Sequence, residues 1–325
     1  MPIETDFAFA QEPAAASLAA TTDLLGLLRG FVGHHPAQKP QRTWKGTGFN
    51  MIWRPNFQNQ SGTRDFFLEL NFTEETLSFI DITGTGIANR GLLQTQIFLG
   101  GVSYLQTIND KFDHTGQHFE PGVWANVPAT TNPNEQSTIV RMGSIPHGTT
   151  VNLQGRAFTV PKPQFAAASI TPFKIGSPDD GNTNLIHFDE EDLSKPSTSR
   201  MDLRRVAELT QAQLTNPNLF LEQAVAGQTF VGTTVLTVSS DASAAGSVPD
   251  VGGGTDNIAF LVGKGTPPSS GPNANAATAT ATFWIEQIKH RNGTEFTQLQ
   301  YTQRVLLNFN GLSWPHVTIA TLRPA

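Results

Sequence analysis

The sequence predicts an all-β protein: a single antiparallel up-and-down β-barrel of about ten strands with a helical mid-chain insertion. Three observations carry this. Short runs alternate with period two, as in "RDFFLELNF", where Phe66, Leu68, Leu70 and Phe72 oppose Phe67, Glu69 and Asn71. Gly and Pro are frequent, at 29 and 21 of 325 residues, while hydrophobic residues reach only 38%, which suits many strands and turns better than long helices. The last part of the chain holds two Asn-Gly turns between strand-like runs, the strongest short hairpin signal.

Residues 1–42 form an N-terminal arm with one short helix. The arm is Ala-rich and poorly patterned, Asp23 caps a helix from Leu24 to Arg29, Gly30 ends it, and residues 33–42 read as a linker. The barrel domain takes 43–325. Its first run is "TWKGTGFNMIW", with Trp44, Gly46 and Gly48 on one side. "RDFFLELNF" and "TLSFIDI" make a hairpin about Glu74-Glu75. "IFLGGVSYLQTIND" carries a Gly-Gly pair that predicts a bulge or sharp bend. "HFEPGVWANVP", "STIVRMGSI" and "TTVNLQGRAFTV" add three short strands.

The insertion spans about 180–228 and is charged and polar; in it Asn216 caps a helix of about 10 residues with Pro217 at its first position and Gly227 at its C-terminal cap. "QTFVGTTVLTVSS" resumes the strands, followed by the loop "DASAAGSVPDVGGG", a short strand "NIAFLVG" and the loop "KGTPPSSGPNANA". The chain closes in a three-strand meander, "TATATFWIEQIKH", "FTQLQYTQRVLLNF" and "WPHVTIATL". There is no internal repeat.

Composition excludes several functions. With no cysteine there is no disulfide, Cys-ligated zinc, iron–sulfur cluster or thiol catalysis. The net charge is −6 and Arg204-Arg205 is the longest basic run, so no nucleic-acid partner is expected. Glu4 and Asp6 stand where a signal peptide needs basic residues, and no run approaches a membrane span; a soluble, cytoplasmic protein is expected, with the sequons at Asn59, Asn71 and Asn292 incidental.

Most motif-like stretches read as loops. Gly84 to Asn89 lacks the third glycine of a dinucleotide fingerprint, and Gly263 to Thr266 is followed by Pro267-Pro268 where a phosphate loop needs a helix. "DDGNTN" at Asp179 to Asn184 resembles a calcium loop only in composition, and Asp189 to Asp192 reads as wet surface. His114 and His118 have a helical metal spacing that Gly116 opposes; in a strand, His118 and Glu120 share a face. No G-x-S-x-G appears.

Two histidines stand out. His147 lies between Pro146 and Gly148 at a strand junction, either a plain turn residue or a group at the barrel rim facing a ligand. His316 follows Pro315, which cannot donate to a ladder. By period two, Trp314, His316, Thr318 and Ala320 share a face opposite Val317 and Ile319. That face is either a cavity wall or a surface stripe, and on the first reading His316 aims at a ligand or metal centre.

"TWKGTG" resembles the opening Trp-x-Gly-x-Gly of nitrobindin-like and lipocalin-like barrels, and "PHVTIATLR" resembles the closing segment of nitrobindins. "GFNMIWRP", "IPHGTT" and "LLNFNGLSWPH" resemble bacterial haem-binding or lipocalin-like chains. The likeness covers about fifteen residues at each end of 43–323. It implies a haem cofactor with His316 as the proximal ligand, and His147 as the second candidate. A haem with its other face open would bind small gases or act on peroxide. The pocket walls would be phenylalanines with Met51 or Met142, lined by Trp314, while Trp44 plugs the barrel base. Two other readings stand: a haem-free carrier or enzyme for a hydrophobic small molecule, and a structural module with a filled barrel. A closed barrel suits a monomer; exposed Phe suits a homodimer.

Overall fold

The structure is a computed structural model that describes residues 23–33, 41–57, 62–176, 184–241, 249, 251–265 and 272–325. The Ala-rich arm, most of the 33–42 linker, most of the calcium-like stretch and parts of both long loops lie outside the described residues.

Thirteen strands run in chain order: β1 (Gln41–Pro55), β2 (Phe66–Asp81), β3 (Ile87–Asn89), β4 (Ile97–Asp110), β5 (Gly116–Val127), β6 (Thr138–Ile145), β7 (Thr149–Val160), β8 (Phe173–Lys174), β9 (Thr229–Ser239), β10 (Gly254–Asn257), β11 (Asn275–Lys289), β12 (Glu295–Phe309) and β13 (Leu312–Pro324). Ten of them form an antiparallel barrel in the order β1-β2-β4-β5-β6-β7-β9-β11-β12-β13. The barrel closes where β13 returns to β1, from Trp44 opposite Pro324 to Ile52 opposite His316. The short strands β3, β8 and β10 pair outside this path. Consecutive barrel strands are antiparallel neighbours throughout, so the expected up-and-down barrel is the fold. Among the described residues four short helices accompany it: α1 (Leu24–Arg29), α2 (Gln211–Thr215), α3 (Leu219–Ala224) and α4 (Ala259–Val262). None is long and apolar enough to cross a membrane.

Period-two alternation builds two separate cores. Inward residues of the barrel, among them Leu77, Phe79, Val102, Trp124, Leu153, Leu236, Phe283 and Leu299, form one apolar cluster with Leu24, Leu28 and Phe31 of the α1 region. Asp23 caps α1, accepting from the Gly26 amide at 2.8 Å. Phe31 stacks on Phe79 at 4.3 Å and meets Phe283 edge-on at 5.9 Å. The Trp44 indole donates to the Phe31 carbonyl at 2.9 Å. Trp44 and the helix region therefore fill one end of the barrel. Outward residues of β1, β2 and β13, such as Phe49, Met51, Leu68, Val317 and Ile319, form a second cluster with Ile170, Val206, Leu214 and Leu221 of the segment between β7 and β9. That polar-looking segment covers an apolar outer wall.

Several local expectations are corrected. No hairpin forms at Glu74-Glu75: β2 runs unbroken for 16 residues, because Glu75 points into the barrel, where Thr73 and Tyr301 bond it. Gly100 and Gly101 pair in regular register with Asn126 and Ala125, and the shift in that ladder falls at Ile108/Asn109. Gly101 serves close approach instead, since a Cβ there would lie 2.0 Å from the Trp124 carbonyl oxygen. "NIAFLVG" is not a strand; β10 ends at Asn257 and Ala259–Val262 turns into α4. The helix expected from Asn216 to Gly227 is shorter: α3 has six residues, with Asn218 at its N-cap and Val225 at its C-cap, while Asn216 is the C-cap of a separate helix, α2, which a Thr210–Gln213 capping box starts.

Candidate functional site

The barrel is filled at the α1 end and hollow at the other. The hollow is a cavity of about 280 Å³. Its apolar wall comes from Ile52, Ile108, Ile145, Val305, Leu307 and Leu261 of α4. Its polar wall includes Asn50, Gln106, His118, Tyr301, Gln303 and Thr318. His316 and His147 both line it. His147 sits in the β6–β7 turn, which α4 covers: Ile258 donates to the Gly148 carbonyl at 3.0 Å.

Below the cavity lies a buried polar layer. Glu120 on β5 is fully buried and receives three groups: Arg141 Nη2 at 2.9 Å, the Tyr104 hydroxyl, and His118 Nε2 at 3.1 Å. Burial alone would raise its pKa, but Arg141, His118 and Tyr104 hold it down to about 2. Glu120 is thus a carboxylate, and His118 Nε2 must donate to it. Arg141 is spent in the same knot: Nε reaches the Tyr104 hydroxyl at 3.1 Å and Nη1 reaches Gln303 Oε1 at 2.5 Å. Glu75 on β2 is the second buried carboxyl. It accepts from the Tyr301 hydroxyl at 2.5 Å and from Thr73 at 3.0 Å, and burial pushes it up to about 7. Each carboxyl lies against a glycine of the next strand: a Cβ at Gly48 would meet Glu75 Oε1 at 2.8 Å, and one at Gly143 would meet Glu120 Oε1 at 2.2 Å.

His316 Nε2 lies 2.9 Å from Asn50 Oδ1 and 3.4 Å from the Thr318 hydroxyl. Burial, with the charges of His118 and His147, brings its pKa down to about 3, so the ring is neutral. Burial also lowers His147, whose ring meets that of His118 edge-on at 5.3 Å.

The remaining expected site residues do not reach the cavity. Met142 is on the outer face and 39% exposed, because Arg141 and Gly143 take the inward positions on either side of it. Met51 is outward in the covered cluster, between inward Asn50 and Ile52. Trp44 is inward but at the filled end. Trp314 shares its period with His316 yet leaves the cavity wall. Pairing of β1 with β13 stops at Ile52–His316, next to Pro315, which has no N–H to give. Beyond that point the Trp314 ring packs on Phe309 at 4.8 Å, on Phe66 at 5.0 Å and on Trp53 at 5.5 Å.

A haem would need an axial ligand facing the cavity. His316 faces the cavity as an axial ligand must, but its Nε2 already serves Asn50. A cavity of 280 Å³ also lies just below the roughly 300–1,000 Å³ range of small-molecule pockets. In this arrangement His316 Nε2 is bonded to Asn50 rather than turned to an iron. No group of three or more His, Asp or Glu side chains among the described residues is placed to hold a metal ion.

His118, Glu120, Arg141, Glu75 and Tyr301 were not singled out as a site by sequence. The one signal in the sequence was the shared strand face of His118 and Glu120, a cluster completed only by residues from other strands.

No family model and no curated protein matches the chain. Among solved structures, Rv2717c from M. tuberculosis aligns with 93% of this chain and 98% of its own, at 11% identity and a TM-score of 0.37.

Proposed function

We propose that the protein is a β-barrel carrier that holds a small hydrophobic molecule in the open half of its barrel. One observation carries this reading: a barrel packed solid at one end keeps a cavity at the other, walled by Ile52, Ile108, Ile145, Val305 and Leu307. Large side chains fill the α1 end, whereas Ala274, Ala276 and Gly148 contribute to the hollow end. A cavity with an apolar wall and a few convergent polar groups is the usual form of a small-molecule site.

The test is extraction of the natively purified protein followed by mass spectrometry, beside a Val305→Phe variant that fills the cavity. A small apolar molecule recovered from the wild type and absent from the folded variant is the expected result. If nothing is extracted, and 1-octanol leaves the melting temperature unmoved, the carrier reading fails, because a ligand that binds only the folded state must raise it.

Haem is the second reading, favoured by the neutral, cavity-facing imidazole of His316. It requires that imidazole to leave Asn50. A sharp Soret band on haem addition, lost in His316→Ala, would support it. Loss in His147→Ala instead would move the ligand, and no band in the wild type would end this reading.

A further inference from the structure

If the barrel is a carrier, the floor of its cavity bears on which hydrophobic molecules it accepts, and the inference rests on that reading. A barrel that binds a carboxylate such as a fatty acid needs a cation to meet the carboxylate, since an unpaired buried charge is strongly unfavourable. This barrel has a buried arginine below the cavity, and each of its three guanidinium nitrogens already has a partner. Arg141 is about 1% exposed; Glu120 takes Nη2, the Tyr104 hydroxyl takes Nε, and Gln303, itself a lining residue, takes Nη1. Glu120 also takes His118, so the histidine nearest that knot is tied to an anion already present. Among the described residues no Lys or Arg lines the cavity, and Glu69 does, with Arg54 as its own partner at 2.8 Å.

The groups left to meet a ligand are neutral hydrogen-bonding ones. Tyr301, Gln106, Gln303, Asn50, Thr318 and His316 converge from β12, β4, β1 and β13. We propose that the cavity selects neutral apolar molecules with one hydrogen-bonding group, such as an alcohol, aldehyde or ketone, and rejects carboxylates, and that Glu120 sets this choice by neutralising Arg141. Glu120 acts here as a specificity-determining residue without touching the ligand: it closes the only buried guanidinium beneath the cavity floor among the described residues.

The experiment is calorimetric titration of the wild type at pH 8 with a matched pair, 1-octanol and octanoate. The expected result is binding of 1-octanol and roughly hundredfold weaker binding of octanoate, the scale of an uncompensated buried charge. Glu120→Gln keeps the shape, removes the anion, and should gain octanoate binding while keeping 1-octanol within a few-fold. Equal or tighter binding of octanoate by the wild type would overturn the specificity proposal and leave the carrier reading intact. Binding of neither probe by the wild type would count against the carrier reading itself. If Glu120→Gln does not fold, the wild-type pair still decides; if it folds and still rejects octanoate, Glu120 is not the determinant.

Discussion

The buried carboxyls give the protein a pH dependence with a worked sign. Burial holds Glu75 at about 7 and Glu286 at about 8, both from 4.5. Between 4.5 and those values the unfolded chain has lost a proton that the folded chain keeps, so stability falls as pH rises through the window and levels off above it. His316 acts in the opposite sense: brought down from 6.5 to about 3, it makes stability rise with pH between those values. Glu120, held at about 2, adds to the loss as pH drops below 4.5. Among these groups only the two glutamic acids act above pH 6.5. Melting followed from pH 6.5 to 8 should therefore show a decline worth ~2–3 kcal/mol. Glu286→Gln, whose amide can still accept from Gln298 at the 2.8 Å contact, should remove most of that decline. An unchanged decline would show that Glu286 is not its source.

At the scale of the elements, backbone approach and turn geometry decide which positions tolerate change. On β1 a Cβ at Gly48 would stand 2.1 Å from the Ile319 carbonyl oxygen of β13 and also press on Glu75. Gly48→Ala should cost about 3 kcal/mol or more, read by urea unfolding, because neither the closing strand nor the buried carboxyl can yield. The β12–β13 turn has positive φ at both Asn310 and Gly311, +50° and +76°, as its two-residue loop requires. Gly311→Ala meets no neighbour there, so its cost should be only about 1–2 kcal/mol, from the left-handed backbone alone. The outer face of β11 and β12 offers the reverse case. Thr302 is buried, and its hydroxyl has no hydrogen-bond partner among the described residues. Thr302→Val should be neutral or stabilising by up to about 1 kcal/mol, whereas a loss would reveal a water bound in that seam.

At the scale of the whole molecule, closure joins the two ends of the chain. β1 pairs with β2 on one side and with β13 on the other, so it is not an edge. Hydrogen exchange should find the β1 amides from Phe49 to Met51 protected like those of β2; fast exchange of one row would mean an open sheet. The covering segment between β7 and β9 is part of the same folded unit, since its Leu214 and Leu221 lie in one cluster with Met51 and Val317. That cover hides the outer wall, while the inner cavity is lined in part by Leu261 of α4 and by His147 and Gly148 of the β6–β7 turn.

Local chemistry was enough to foresee much of this. Period two marked the strands, Asn-Gly placed both final hairpins, and Asp23 and Gly30 bounded α1. These are legible because alternation and φ preference belong to single residues and their near neighbours. Which inward positions would be filled, and which hollow, depended on contacts between residues far apart in the chain. Glu75 looked like a turn because a charged pair is commonly solvated; it is buried because Tyr301, 226 positions later, stands within 2.5 Å. Trp314 looked like a lining residue because period two says nothing of where pairing with another strand ends. Arg141 and Glu120 were unremarkable apart, and they meet only because β5 and β6 pair in one register. The charge beneath the cavity is a property of that register, and no single segment of the sequence contains it.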